Sequence, residues 1–334
     1  MKNKYFRIID ANINRATEGL RVVEEISRFI LENKALAGRA KTLRVRIGRV
    51  IDQQVLKRFR DSQSDPGRNL HHSFEGKRAT LNDLFISNIK RAEEALRCLE
   101  EFAKQLSPAY GKHYKELRFQ TYSLEKALAP LVEKLDKLDT AVMALTSEED
   151  EPIKEVKYLI KQGAKVIQFR AKDLSPVEYL RLAKIIVRLA REAGRTIILN
   201  DHANMVAESG ADGIHLGQAD LEKFSLKRLR KTLGAASIIG VSVSNVRQAK
   251  AAEKAGADYL GVGPVFATPN KISGPVVGLP GLRKIVQSVS IPVVAIGGIN
   301  QVNLDRVFAT GCQKVAAIRG AVELLRLAKK REIC

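Results

Sequence analysis

The spacing of apolar residues changes near residue 138 of this chain of 334 residues. Before this point apolar residues recur every three or four positions, which is the spacing of one face of a helix. After it, short β-branched runs alternate with amphipathic segments, as in a parallel sheet connected by helices. The pattern therefore predicts an all-α domain over residues 1–137 and an α/β domain over residues 138–334.

The second half contains eight β-branched runs, each followed by an amphipathic segment. The strands are expected near residues 140–146, 165–170, 196–200, 212–216, 237–242, 258–263, 292–297 and 314–318. The helices are expected near residues 152–162, 176–193, 202–209, 225–233, 245–255, 280–288, 302–310 and 321–331. Eight consecutive βα units are typical of a (β/α)8 TIM barrel, so the expected fold is an α/β barrel preceded by an all-α helical bundle.

An internal repeat organises the first half, because residues 12–25 match residues 88–101 at an offset of 76 positions. Polar residues suited to cap a helix stand near the start of each copy, namely Asp10 or Asn12 and Ser87 or Asn88. Gly19 costs about 1 kcal/mol relative to alanine inside a helix, which suggests the close approach of a ligand or another helix. The remaining helices are expected near residues 34–60, 80–86 and 108–136. We predict a pseudo-twofold bundle.

Short polar motifs stand where six of the expected strands end. They are Gln168 to Lys172, Asn200-Asp201, His215 to Asp220, Val241-Ser242, Gly263 to Lys271 and Gly297 to Ile299. Because the carboxyl ends of barrel strands lie on one rim, these motifs should converge on one pocket. Two carboxylates, three cations and a Gly-Gly turn are suited to bind a metal ion together with a diphosphate.

Taken singly, these residues have simpler explanations. Asp201 fits a helix N-cap as well as a metal ligand, and Arg170 and Lys172 alone fit a solvated surface. His215 has no second His or Cys at a metal-ligand spacing, which favours a core or turn-bonding histidine. The combined pattern favours the diphosphate site.

The formal net charge of +20 raises the question of nucleic-acid binding. The basic excess is the same in both halves, with 28 basic and 18 acidic residues over 1–138 and 29 and 19 over 139–334. There is no Trp, and aromatic and basic residues do not interleave as in proteins that stack bases. We therefore expect small phosphorylated molecules as partners, and no nucleic acid.

The expected location is cytoplasmic, without a membrane partner. No segment approaches the ~18 uncharged apolar residues of a membrane span. The basic N-terminus lacks the apolar run of a signal peptide. Cys98, Cys312 and Cys334 are too few and too scattered for a disulfide framework or a thiolate metal site.

The ordered motifs over residues 138–330 resemble those of thiamine phosphate synthases. The resemblance implies a transferase that condenses 4-amino-2-methyl-5-hydroxymethylpyrimidine diphosphate with 4-methyl-5-(2-hydroxyethyl)thiazole phosphate, through a dissociative pyrimidine carbocation. It implies Mg²⁺ bound by Asp201 and Asp220. It implies catalytic roles for Arg170, Lys172 and Lys271. The substrate contacts it implies are Gln168, Arg170, Lys172, Asn200, Ser242, Thr268, Asn270, Lys271, Gly298, Ile318 and Arg319.

Two positions depart from the family pattern. The loop that commonly reads Thr-x-Thr-Lys reads Thr-Pro-Asn-Lys over residues 268–271. Asn270 can still donate to a phosphate, so we expect weakened rather than lost binding there. Where the family often has Ile-Ser after the eighth strand, this chain has Ile318-Arg319. Arg319 either replaces a hydroxyl donor with a charge or points outward.

The helical half resembles, over about residues 4–130, a compact hydroxymethylpyrimidine-phosphate kinase domain fused to some of these synthases. This implies phosphorylation of the pyrimidine monophosphate, with ATP as a candidate donor, although the half has no P-loop motif. A scaffolding or dimerising bundle is the alternative. For the whole chain, the alternative is a thiazole tautomerase-like barrel with a non-catalytic helical interaction domain. The sequence leaves homo-oligomerisation open.

Overall fold

The computed structural model describes residues 2–60, 78–147, 151–171, 173–268 and 276–332. The chain divides into two compact units, Met1–Asp136 and Lys137–Cys334. The first is helical and the second is a parallel β-barrel with helices, which confirms the predicted fold class. Within the described ranges, no helix is long and apolar enough to cross a membrane.

Helices of 5 to 30 residues build the described part of the helical unit. They are α1 (Lys2–Glu25), α2 (Lys34–Ile47), α3 (Gln53–Lys57), α4 (Leu81–Lys104) and α5 (Pro108–Lys137), and a π-helical turn (Ile26–Ile30) extends α1. The segment expected as helix over 34–60 is divided between α2 and α3. The division follows from Asp52, whose carboxylate accepts the N–H of Gln54 at 2.9 Å and so starts a new helix.

The two repeat copies lie in α1 and α4, which pack against each other. Equivalent apolar residues are buried in both copies, namely Ile13 and Ile89, Ala16 and Ala92, Leu20 and Leu96, and Val23 and Leu99. The equivalent residues Glu24 and Glu100 are also buried. Each accepts a hydrogen bond at 3.0 Å from an arginine of the following long helix, Arg44 of α2 or Arg118 of α5. These paired contacts support the pseudo-twofold bundle.

The expected N-caps of the repeat helices are wrong. Both helices begin earlier in the chain, so Asp10, Asn12, Ser87 and Asn88 all lie inside helices. The buried amides of Asn12 and Asn88 donate to carbonyl oxygens four residues earlier, at 2.9 and 2.8 Å. Because a carbonyl of the preceding turn satisfies each amide, a polar residue that often caps a helix is accommodated in its interior.

The start of α4 is set instead by Thr80. Its hydroxyl accepts the N–H of Asp83 at 3.0 Å, and the Asp83 carboxylate accepts the N–H of Thr80 at 3.2 Å. This capping box satisfies two backbone donors that a helix N-terminus leaves unpaired. The residues expected as a separate helix over 80–86 are therefore the cap and the first turns of α4.

The second unit is a closed parallel barrel in which each strand pairs with the next and the last pairs with the first. Its strands are β1 (Val142–Leu145), β2 (Val166–Phe169), β3 (Thr196–Asn200), β4 (Gly213–Leu216), β5 (Ile238–Val243), β6 (Tyr259–Val262), β7 (Val293–Ile296) and β8 (Lys314–Ala317). Its helices are α6 (Pro152–Lys161), α7 (Pro176–Glu192), α8 (Val206–Ser209), α9 (Gln218–Lys223), α10 (Leu226–Leu233), α11 (Val246–Ala255), α12 (Gly278–Val286), α13 (Leu304–Phe308) and α14 (Ala321–Glu332). All the strands expected from the sequence are confirmed in position and order.

Alternate residues of each strand face opposite sides of the barrel sheet. One set packs against the outer helices and includes Phe169, whose ring stacks on Tyr179 of α7 with centroids 4.6 Å apart. The other set fills the barrel interior and includes Met143, Ile198 and Tyr259. Side chains alternate between the two faces of a strand. Near the strand ends, the polar side chains that alternate with the outer set therefore face the barrel interior.

We expect Gly19→Ala to destabilise the helical unit. A Cβ at Gly19 would lie 2.6 Å from the carbonyl oxygen of Asn88, so the backbones of α1 and α4 would have to separate. The cost should be about 1–3 kcal/mol in the free energy of unfolding, as for other overpacked cores. Urea denaturation of the full chain, followed by far-UV circular dichroism, measures it.

Gly38→Ala is the matched control, because a Cβ at this exposed position in α2 meets nothing within 4 Å. This substitution should stabilise the helix by up to about 1 kcal/mol through helix propensity alone. A Gly19→Ala protein as stable as the Gly38→Ala protein would contradict the close helix crossing.

Candidate functional site

Three of the expected substrate contacts lie inside strands near one end of the barrel. Gln168 belongs to β2, Asn200 to β3 and Ser242 to β5. Their neighbours along each strand belong to the outer core, so these three residues are in the set that faces the barrel interior. Gln168 is buried, whereas Asn200 and Ser242 are half-buried, as expected of side chains at the mouth of a pocket.

The other described candidates follow strand ends. Arg170 follows β2, Asp201 follows β3, Asp220 lies in α9 after β4, Thr268 lies after β6, Gly298 follows β7, and Ile318 and Arg319 follow β8. Because all strands are parallel, these positions share the rim at the carboxyl ends of the strands. Lys172, Asn270 and Lys271 lie outside the described residues, so their roles stay predictions.

The turn after β3 places Asp201 beside the end of β4. Asp201 has a left-handed backbone with φ of +66°, and its N–H donates to the carbonyl of His215 at 3.0 Å. Tyr179 supports the same turn, since its hydroxyl accepts the N–H of Asn200 at 3.2 Å and donates to the carbonyl of Phe169 at 3.0 Å. A non-glycine residue held at positive φ is costly and is concentrated at functional sites.

The carboxylate of Asp220 reaches the same corner of the rim. Its Oδ2 accepts the N–H of Gly217 at 3.0 Å, two residues beyond His215, and this contact caps α9. The helix α9 was not expected from the sequence, because Gly217 lacks a capping side chain and Asp220 supplies the acceptor instead. A carboxylate has about four acceptor positions, so this bond leaves Asp220 able to bind a further ligand. Asp201 and Asp220 thus flank the end of β4.

A hydrogen-bonded network lies in the interior beneath this corner. His215 Nε2 is 2.9 Å from Ser242 Oγ, and His215 Nδ1 is 2.8 Å from Tyr259 Oη. Burial lowers the pKa of His215 to about 4, so its ring is neutral near pH 7. Both ring nitrogens meet hydroxyls, which agrees with the expectation of a core histidine and not a metal ligand. Tyr259 was missed, because a tyrosine within an expected strand is simply assigned to the core.

The Gly297-Gly298 turn packs on the loop after β6. Both glycines have positive φ, +100° and +65°. The carbonyl of Gly297 accepts the N–H of Phe266 at 3.0 Å, and the carbonyl of Gly298 accepts from the Asn303 amide at 2.8 Å. These bonds hold the turn against the loop that leads from β6 to Thr268.

The remaining rim contacts concern β1, β2 and β8. Thr146 directly follows β1, and its hydroxyl lies 2.8 Å from both the N–H and the carbonyl oxygen of Arg170, so it fixes the backbone of that residue. Sequence reasoning missed Thr146, although its place at a strand end was a usable signal. Ile318 packs against the interior core, and Arg319 is exposed.

The two carboxylates expected to bind a metal ion, Asp201 and Asp220, both follow strand ends on this rim. Within the described ranges, no three His, Cys, Asp or Glu side chains cluster closely enough to enclose a metal ion. Two carboxylates at one corner fit a hard cation that takes its other ligands from water and from a phosphorylated substrate.

The two units match two protein families. Residues 141–321 match the family model described as thiamine monophosphate synthase, and residues 7–127 match the ThiD2 family. The first match covers more than half of the chain. The chain belongs to the thiamine-phosphate synthase family.

Relatives of this synthase family cover both units. A thiamine-phosphate synthase from Synechocystis sp. is 39% identical over 95% of this chain and 91% of its own length. A thiamine-phosphate synthase from Gloeobacter violaceus is 37% identical over 94% of this chain and 91% of its own length. The structure of the thiamine phosphate pyrophosphorylase from Pyrococcus furiosus matches 57% of this chain and 93% of its own length, with 34% identity and a TM-score of 0.50.

We expect Gly298→Ala to disrupt the turn after β7 in this family member. A Cβ at Gly298 would lie 2.8 Å from Phe266 Cβ and 2.9 Å from the carbonyl oxygen of Ala267, in addition to the strain of positive φ. The substitution should lower the free energy of unfolding by about 2–4 kcal/mol. Thermal and urea denaturation measure the loss.

Gly194→Ala separates the two causes, because Gly194 has φ of +64°, close to that of Gly298, but a Cβ there meets none of the described residues within 4 Å. It should cost only the backbone strain of about 1–2 kcal/mol. Equal losses in the two variants would show that crowding by the loop after β6 does not constrain Gly298.

Proposed function

We propose that the barrel of this chain joins hydroxymethylpyrimidine diphosphate to thiazole phosphate, giving thiamine phosphate and pyrophosphate. The observation that carries the proposal is the gathering of Arg170, Asp201, Asp220, Ser242 and Gly298 on one rim of a barrel of this family. The bond from the pyrimidine methylene carbon to the diphosphate oxygen breaks, and the oxygen keeps the electron pair. The lone pair of the thiazole nitrogen then forms the new carbon–nitrogen bond.

The reaction requires an environment that stabilises a leaving pyrophosphate anion beside a developing carbocation. Arg170 extends from the end of β2, where Thr146 fixes its backbone, and supplies a guanidinium suited to bind phosphate oxygens. We assign Lys172 and Lys271 to the same diphosphate. Electrostatic groups held in position before the reaction lower the barrier, because they need no reorganisation as charge develops.

The acceptor substrate requires a second phosphate site on the same rim. The Gly297-Gly298 turn, with Thr268 on the neighbouring loop, supports such a site after β7, where barrel enzymes frequently bind phosphate. Asn270 is assigned to the same phosphate. We assign Gln168, Asn200, Ser242, Ile318 and Arg319 to contacts with the pyrimidine or its diphosphate. Holding both substrates at adjacent sites makes the second step effectively intramolecular.

The cofactor that best fits the rim is Mg²⁺. Asp201 and Asp220 would hold it, since both are oxygen ligands at one corner and leave room for substrate oxygens. When bound, the ion would neutralise diphosphate charge. Asp201 is kept in place by its backbone bond to the end of β4, and Asp220 by its bond to Gly217.

A thiazole tautomerase-like barrel is the alternative. Such a barrel shares the fold but has no need of both carboxylates, so the paired positions of Asp201 and Asp220 favour the synthase. The assay that separates the two is direct: the synthase consumes the pyrimidine diphosphate and releases pyrophosphate, and a tautomerase does neither.

We expect Asp201→Ala and Asp220→Ala each to lower synthase turnover by more than about tenfold at limiting Mg²⁺, because diphosphate charge is left uncompensated. Asp220→Asn should lose as much activity as Asp220→Ala while keeping more stability, because its amide oxygen can still accept the N–H of Gly217. Thiamine phosphate formation and thermal stability are measured together.

Glu222→Ala is the matched control, because it removes an exposed carboxylate from the same helix α9. Its turnover should equal that of the wild type. Wild-type rates in both aspartate variants at limiting Mg²⁺ would contradict the assignment of Asp201 and Asp220 as metal ligands. Pyrophosphate release by the wild-type protein would still test the proposed reaction.

We further propose that the helical unit phosphorylates the pyrimidine monophosphate, which would supply the substrate of the barrel. The match of residues 7–127 to the ThiD2 family supports this proposal. So does a departure from the repeat symmetry: Asp10 is buried, and Arg60 donates to both of its oxygens, through Nε and Nη2, at 2.7 Å each. The equivalent residue in the second copy is Ile86.

The Asp10–Arg60 pair supports a phosphate site in the first repeat. The hydrogen bonds to Asp10 raise the pKa of Arg60, and the arginine side chain is still 43% exposed. An oriented, partly exposed guanidinium is well suited to a phosphate group. Asn14 lies one turn beyond Asp10 on the same side of α1 and is half-buried. Gly19, in contrast, is explained by the crossing of α1 and α4 without a ligand.

We expect Asn14→Ala to abolish phosphorylation of the pyrimidine monophosphate in the presence of ATP and Mg²⁺. Synthase activity from supplied pyrimidine diphosphate should stay at the wild-type level, which serves as an internal control for folding. Nucleotide turnover and thiamine phosphate formation are measured on the same preparation.

The control is Glu94→Ala, at an exposed position of α4 in the second repeat, which should leave both activities unchanged. Full kinase activity in the Asn14→Ala protein, or parallel loss of both activities, would argue against a separate site in the first repeat. A wild-type protein without kinase activity would favour the scaffolding bundle.

A further inference from the structure

A continuous chain of side-chain hydrogen bonds crosses the interior of the barrel and ends at Ser242. It begins at Gln168 on β2, whose side chain bonds to the hydroxyl of Tyr259 on β6. Tyr259 Oη is 2.8 Å from Nδ1 of His215 on β4, and His215 Nε2 is 2.9 Å from Ser242 Oγ on β5. Tyr259, Gln168 and His215 are buried, and Ser242 is half-buried at the rim.

Two glycines provide the space for this chain. A Cβ at Gly261 would lie 2.8 Å from Cε1 of His215, and a Cβ at Gly240 would overlap the ring of Tyr259. Both glycines have interior-facing positions on strands whose neighbouring residues are large and apolar. The barrel therefore lacks side chains at the two places that the histidine and tyrosine rings occupy, and this arrangement fixes the position of both rings.

The hydrogen atoms of the chain can be assigned from its partners. Burial raises the pKa of Tyr259, and the hydrogen bond with Gln168 lowers it, which is the effect of a donor to the phenol oxygen. The hydroxyl of Tyr259 then donates to His215 Nδ1, because the other nearby acceptor, Met143 Sδ, is a thioether at 3.9 Å. A neutral imidazole carries one proton, so Nε2–H donates to Ser242 Oγ. Ser242 has its own proton left to donate.

We propose that His215 is a positioning residue that, held by Tyr259, orients Ser242 as a hydrogen-bond donor toward an acceptor atom of the pyrimidine diphosphate. This inference rests on the proposed synthase function. In an unsupported serine the hydroxyl rotates and can donate back to the protein. Here the donor from His215 occupies a lone pair of Oγ, so the serine proton points away from the histidine and into the mouth of the barrel.

A double-mutant cycle between Tyr259 and Ser242 tests the inference. Tyr259→Phe keeps the ring that fills the space beside Gly240 but removes the hydroxyl. Ser242→Ala removes the donor itself. Each should lower kcat/KM for the pyrimidine diphosphate by about tenfold. A tenfold change corresponds to about 1.4 kcal/mol, which is the contribution of one hydrogen bond. In the Ser242→Ala background, Tyr259→Phe should cost less than about twofold, because the group it orients is absent.

A purely structural role predicts a different result. The losses of the two single variants would then multiply in the double variant, which would overturn the inference. Ser242→Ala with wild-type kcat/KM would also overturn it. Tyr114→Phe controls for the loss of a buried tyrosine hydroxyl elsewhere, since Tyr114 is buried in the helical unit and its hydroxyl has no hydrogen-bond partner among the described residues. That variant should keep wild-type kcat/KM.

The tautomer of His215 gives a readout that needs neither turnover nor a stable variant. In the wild-type chain labelled with ¹⁵N-histidine, His215 should be protonated at Nε2 and unprotonated at Nδ1 near pH 7. A proton on Nδ1 would overturn the inference. A wild-type protein inactive as a synthase would reject the proposed function, and the tautomer would still test the hydrogen-bond chain.

Discussion

The hydrogen bonds that close β1 onto β8 are the constraint on which the site depends. Val142 to Ala144 pair in parallel with Val315 to Ala317, which completes the cylinder, and every strand in it runs in the same direction. Parallel strands bring all their carboxyl ends to one rim, so residues far apart in the chain meet there. Arg170 follows β2 and Arg319 follows β8, and only β1 separates these two strands in the closed cylinder. If the sheet were open between β1 and β8, five strands would separate them.

Closure also limits what the interior can contain. The barrel core is largely apolar, and only groups that satisfy one another can be polar there. The Gln168, Tyr259, His215 and Ser242 chain meets this condition because each member bonds to the next one across the barrel interior. The cost of burying Gln168, Tyr259 and His215 is thus offset by bonds that also connect the interior to the rim. Stability and the orientation of a surface hydroxyl depend on the same contacts.

The sequence predicted the strands well, because the barrel depends on short β-branched runs whose pattern is local. It also predicted which residues stand at strand ends, and closure of the barrel brings those residues to one rim. It failed at the starts of the repeat helices and at a contact between two strand ends. Asn12 and Asn88 were expected as caps, but in the structure they are buried in helix interiors and bond to the preceding turn. The Thr146 contact with Arg170 depends on the pairing of β1 with β2, which no local pattern reveals.

The repeat in the helical unit shows how symmetry and function can be separated on physical grounds. Packing requires the two copies to agree where they meet, and Glu24 and Glu100 keep the same arginine pairing. The charged groups that differ lie elsewhere: the first copy pairs Asp10 with Arg60, and the second places Lys90 between Glu93 and Glu125. Burial is the largest effect on Glu93. Together with Glu125 it raises the pKa of Glu93 to about 7, although Lys90 lowers it.

Burying a carboxylate is costly, so a bundle that needed only good packing would have an apolar residue such as Ile86 at the position of Asp10. Each copy keeps one buried, paired carboxylate that the other copy lacks, Asp10 with Arg60 in the first and Glu93 with Lys90 in the second. The phosphate site proposed for the first copy would use the arginine of the first pair.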